Sequence, residues 1–172
     1  MQDRPLILVV NDDGITAPGI RALIKIMNTI GDVVVVAPDS PQSGMGHAIT
    51  VDNVLRCNAI SIDDGPQLEY TCSGTPADCV KMAVNEILNK KPDLCVSGIN
   101  HGSNSSINVI YSGTMSAAVE AGIEGIPAIG FSLLDFKFNP VSLDINVSFL
   151  APAHPGTLVA EAKILRIGKS IA

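Results

Sequence analysis

Two adjacent carboxylates, Asp12 and Asp13, end an apolar run in the segment ILVVNDDGITAPG. The run Leu6 to Val10 reads as a buried strand. Like charges side by side at its end repel each other unless something positive lies between them. A hard divalent cation meets that need, because magnesium, manganese and calcium take oxygen ligands. Taken by itself, D-D-G has a plainer reading: one acid caps the helix that starts near Ala17. Two companion segments argue for the cation. The loop PDSPQSGMGHA contains Ser43, and Ser97-Gly98-Ile99-Asn100 follows another apolar run. With Asp12 and Asp13, the neutral oxygens of Ser43 and Asn100 make a ligand set of low net charge, suited to magnesium or manganese, one ion per chain.

A second element is YSGTMSAAVEAG, where Ser112, Gly113 and Thr114 precede a helix of small residues. Free N–H groups and the helix dipole at such a start attract an anion, and the two hydroxyls add donors. Gly113 would let a phosphate approach the backbone closely. An ordinary Ser/Thr cap is the alternative. In SGTPADC that alternative is stronger, because Thr75-Pro76 already explains the segment as a helix start. His47 and His101 lie in the candidate loops, either to assist proton transfer or to hold the loops, whereas His154 is far from any motif.

These groups need a scaffold that brings them together. Strand signals over Leu6–Val10, Asp32–Ala37, Ile49–Leu55, Leu68–Cys72, Asp93–Ser97 and Pro127–Ser132 alternate with helix signals over Ala17–Ile30, Thr75–Asn89 and Met115–Glu124. The turn DDGP, Asp63 to Pro66, separates two of the strands. Strands apolar on both faces imply a mostly parallel sheet with helices on both sides, a three-layer α/β Rossmann-like fold. In such a sheet ligands bind beyond the carboxyl ends of the strands, where all three polar segments would meet.

The 172 residues suffice for one domain with a core, and 47% of them are hydrophobic. A formal net charge of -6 disfavours binding to nucleic-acid polymers. Cysteines at 57, 72, 79 and 95 show no C-x-x-C spacing. With no secretory leader or membrane-length apolar run, a cytoplasmic protein that does not engage membranes is expected.

The motifs VVNDDGITAPGI, VVAPDSPQSGMGHAIT, SGTPADCVKMAV, VSGINHGSN and YSGTMSAAVEAGIEGIPAIGFS, in this order over residues 6 to about 134, resemble those of the SurE family, the survival-protein-E 5'-nucleotidases. The resemblance implies a metal-dependent phosphatase acting on nucleoside 5'-monophosphates. It implies metal ligation by Asp12, Asp13, Ser43 and Asn100, catalysis at Asp12 and Asp13, and phosphate contacts from Asn104, Ser112, Gly113 and Thr114.

The remainder departs from that pattern, so we expect a catalytic α/β domain over 1–138 and an atypical tail over 139–172. The tail reads as a β-hairpin of Val141–Leu150 and Leu158–Ala172 around a turn at Pro152–Gly156. It is similar to a fragment of a hot-dog-fold acyl-CoA thioesterase, as in a chimera, or LDINV stands in for a later strand of the family. A non-catalytic metal- or nucleotide-binding protein is the alternative function. Apolar hairpin faces pair readily, so a homo-oligomer, most simply a dimer, is expected.

Overall fold

The computed structural model describes residues 4–102, 104, 108–133 and 143–146, the last segment as backbone. Its elements are β1 (Leu6–Val10), α1 (Pro18–Met27), β2 (Asp32–Pro38), β3 (Cys57–Ile60), β4 (Leu68–Cys72), α2 (Pro76–Met82), β5 (Leu94–His101), α3 (Asn108–Tyr111), α4 (Gly113–Ile123), β6 (Ala128–Leu133) and β7 (Leu143–Asn146). A π-helical turn, Ala83–Ile87, continues α2. The strands form one sheet in the order β3-β4-β2-β1-β5-β6-β7. Pairing is parallel from β4 through β6. The two outermost pairings, β3 with β4 and β7 with β6, are antiparallel.

Alternate residues of β1 feed two cores. Ile7 and Val9 pack with Ile20, Leu23, Ile24 and Met27 of α1. Leu8 and Val10 pack with Cys79 and Val80 of α2 and Met115, Ala117 and Ala118 of α4. Helix α1 therefore covers one face, and α2 and α4 the other. The split follows from handedness: the crossover from β1 runs one way along the sheet, those into β5 and β6 run the other, and right-handed connections place them on opposite faces. The strand order reverses at β1, so the crevice between the ends of β1 and β5 is the ligand position for this topology.

One expected strand is corrected. Ile49–Leu55 forms no strand, and Val51 and Val54 are each 78% exposed. The backbone there is held by side chains instead. The Ala48 carbonyl accepts from Thr75 Oγ1 at 2.7 Å. The Thr50 N–H donates to Asp78 Oδ1 at 3.1 Å. The strand of this region is β3, which reaches β4 through the expected turn at Asp63 to Pro66. The short α3, within an expected loop, was also not anticipated. Leu143–Asn146 falls within the first expected tail strand and pairs with β6. The turn at Pro152–Gly156 and the strand Leu158–Ala172 lie outside the described residues.

Candidate active site

The chain leaves β1 through Asn11, Asp12, Asp13 and Gly14. Asn11 is 1% exposed; its amide donates to the Gly14 carbonyl at 2.8 Å, and its buried Oδ1 has no partner among the described residues. Gly14 has φ of 95°, a left-handed turn that favours glycine. The turn brings Ile15 N–H to the Pro38 carbonyl at 3.0 Å and lets α1 begin at Pro18. Neither acid caps that helix, since its N-cap position, Ala17, has no side-chain cap.

Asp12 is the point at which three segments meet. Its carboxylate Oδ1 accepts from Thr114 Oγ1 at 2.5 Å. Its backbone carbonyl accepts from Gln42 N–H at 2.7 Å, which holds the loop after β2, and so Ser43, at this edge of the sheet. A Cβ added to Gly113 would fall 2.5 Å from Asp12 Cβ. Gly113 thus admits the Asp12 side chain, a nearer reason for glycine than the approach of phosphate. The Ser112 hydroxyl caps α4, accepting from Met115 N–H at 3.0 Å. In an α-helix the first N–H groups, here those of Gly113 and Thr114, have no intrahelical acceptor and remain available to an anion.

Asp13 is half-buried. Burial pushes its carboxyl above the usual carboxylate range, the charge of Asp12 adds to this, and nearby His101 opposes it. Asp13, Asn100 and His101 line one cleft of about 500 Å³ whose other walls include Ala17, Gly19 and Ile99. Helix α1 lies tightly on this wall, for a Cβ on Gly19 would come 2.3 Å from the Ile99 carbonyl. Asn100 sits at the end of β5, beyond a register shift that follows Ser97. Its Nδ2 donates to the Gly102 carbonyl at 3.0 Å and to Asn104 Oδ1 at 3.2 Å. Asn104 Nδ2 in turn donates to Ser132 Oγ at 2.8 Å. Asn104 therefore orients Asn100 in this arrangement.

The donor chemistry fits a hard divalent cation. Asp13, its proton affinity raised first by burial and further by the charge of Asp12, lines a strand-end crevice with Asn100. No cluster of three or more His, Cys, Asp or Glu residues suited to a metal occurs among the described residues, so an ion at this crevice would need neutral oxygens beside the two acids.

The segment SGTPADC is the expected helix start, closed as a full capping box: Asp78 N–H donates to Thr75 Oγ1, and Thr75 N–H to Asp78 Oδ2. One contact was not legible beforehand. His47 Nε2 lies 2.7 Å from Oε2 of Glu120, a nearly buried acid on α4 that also meets Lys81 Nζ at 2.5 Å. A single acid among small residues on a helix was the available signal for Glu120.

The family model described as Survival protein SurE matches residues 7–166. Similar proteins include the 5'-nucleotidase SurE of Flavobacterium johnsoniae, 79% identical over 80% of this chain and 53% of that protein. The 5'-nucleotidase SurE of Bacteroides fragilis is 55% identical over 77% of this chain and 51% of that protein. The crystal structure of the SurE protein from Aquifex aeolicus superposes with a TM-score of 0.68 at 46% identity, covering 78% of this chain and 53% of that one. The chain spans about half the length of the curated relatives it matches.

Proposed function

The chain belongs to the SurE family, and from that premise we propose that it hydrolyses nucleoside 5'-monophosphates to nucleoside and phosphate with one magnesium or manganese ion per chain. The observation that carries the reading is the convergence on Asp12. A carboxylate pair, the Ser43 loop and the start of α4 meet at the switch point of the sheet. Asp12, Asp13, Ser43 and Asn100 would hold the ion. When bound, it supplies Lewis acidity toward a phosphoryl oxygen and toward water. The N–H groups of Gly113 and Thr114 donate to the phosphoryl oxygens as charge develops there. Asp13 would lie beside the attacking water and accept its proton. Water adds to phosphorus, the ester P–O bond breaks, and the ribose oxygen leaves and takes up a proton from solvent to become the 5'-hydroxyl. Action in the cytoplasm is supported by Cys57, Cys72, Cys79 and Cys95 all being free thiols. No helix among the described residues is long and apolar enough to cross a membrane. A homodimer, and a catalytic domain over 1–138 with a separate tail over 139–172, are part of the same proposal.

A second reading is a protein that binds metal and nucleotide without turnover. Phosphate release from AMP with Mn2+ decides between them. We expect release by the full chain, its loss in EDTA, and its loss in Asp12→Asn. Mn2+ and AMP binding without release would establish the second reading.

A further inference from the structure

The metal reading needs the Ser43 oxygen to be held at a fixed distance from Asp12 and Asp13, yet Ser43 sits on an exposed loop. Gly44 and Gly46 follow it, both with positive φ, at 76° and 58°. Among the described residues no atom lies within 4 Å of a Cβ built on Gly44, so none of them packs against the loop at that point. On the upstream side, the bond from Gln42 N–H to the Asp12 carbonyl ties the loop to the site. On the downstream side, the Gly46 N–H contact to the Tyr111 carbonyl is long, at 3.3 Å. The next anchor is His47, whose Nε2 meets Glu120 Oε2 at 2.7 Å.

The Glu120 end of this anchor is buried, while His47 itself reaches in from an exposed position. Glu120 is 3% exposed and sits on α4, the helix whose first turn carries Thr114 against Asp12. Lys81 Nζ contacts the other carboxylate oxygen, so an opposite charge is present whatever the state of the imidazole. Helix α4 thus holds Asp12 directly, and holds the Ser43 loop through His47.

We propose that His47 is a positioning residue of the metal site: its bond to Glu120 sets the place of Ser43 relative to Asp12 and Asp13. The proposal rests on the reading of Ser43 as a metal ligand. It gives His47 no contact with substrate and no part in proton transfer.

The test is Mn2+ affinity of the full chain, followed by electron paramagnetic resonance, with thermal melts to show that each variant is folded. Outer-shell partners bonded directly to a metal ligand change affinity about 10- to 100-fold when removed, which is the upper bound for His47, since it acts on Ser43 through the loop backbone. His47→Ala should weaken Mn2+ binding within that bound, and saturating Mn2+ should restore whatever turnover the wild type shows. The double variant His47→Ala/Ser43→Ala should bind no more weakly than Ser43→Ala, because both act through one oxygen. His47→Gln, whose amide nitrogen takes the place of Nε2, should retain near-wild-type affinity. If His47→Ala folds poorly, Gln against Asn at position 47 carries the test, since the Asn amide is too short to reach Glu120. Wild-type affinity in His47→Ala beside a weakened Ser43→Ala would overturn the proposal. So would equal losses in His47→Gln and His47→Asn. Unchanged affinity in both Ser43→Ala and Asp12→Asn would instead sink the metal reading beneath it.

Discussion

Thr114 shows how one hydroxyl is committed to the fold and the site at once. It is fully buried, and its hydroxyl donates to Asp12 Oδ1 at 2.5 Å. A hydrogen bond to a charged group contributes about 1.5–3 kcal/mol. Thr114→Val keeps the shape and removes the donor, so the metal-free protein should lose about that much stability. Urea denaturation measures it. A loss near zero would mean that Asp12 finds another donor and that the 2.5 Å bond does not hold the carboxylate. The same substitution leaves the Thr114 N–H in place, so any change in AMP affinity beyond the change in metal affinity would assign the hydroxyl itself to phosphate. Reading the residues alone placed Ser112 and Thr114 at the anion but not their existing partners. A side chain's type states what it can bond, and only the packed structure states what already occupies it.

At the scale of elements, the strands of the parallel core were legible because a strand buried on both faces is a continuous apolar run. VVVV in β2 and LILVV in β1 admit little else. The edge was not legible. β3 is CNAI, half-exposed, with no periodic signal, whereas Ile49–Leu55 carries β-branched residues and stays in a loop. Long-range side chains decide the matter. Thr75 and Asp78, more than 20 residues away, take the backbone groups that a neighbouring strand would have used. The contact between His47 and Glu120, 73 positions apart, was hidden for the same reason. This gives the capping box two tasks: to start α2 and to hold the loop at 48–50. Thr75→Ala should cost about 1 kcal/mol for the cap alone. Loss of the Ala48 bond adds to it, so a larger fall in the urea midpoint at unchanged slope is expected. A loss of only a few tenths would show that the loop bond is replaced by water.

For the whole molecule, the proposed ion would join parts of the chain that are distant in sequence: the end of β1, the loop after β2 and the end of β5. A ligand that binds only the folded state stabilises all of it, by about 2.7 kcal/mol at one hundred times its dissociation constant. Melting temperature should therefore rise with Mn2+ or Mg2+ and fall back in EDTA. Asp13 makes the sign of a second comparison predictable. Folding partly buries this carboxylate beside Asp12, and both effects raise its proton affinity, so its ionised form opposes folding when no cation is present. Asp13→Asn removes that charge. In EDTA near neutral pH the variant should melt above the wild type, while in saturating Mn2+ the order should reverse because the variant has lost a ligand. Calorimetry of both proteins in both conditions reads the four values directly. A variant that melts below the wild type in EDTA would show that Asp13 has a structural partner outweighing the repulsion. A wild type whose melting temperature ignores Mn2+ would remove the ion from the site.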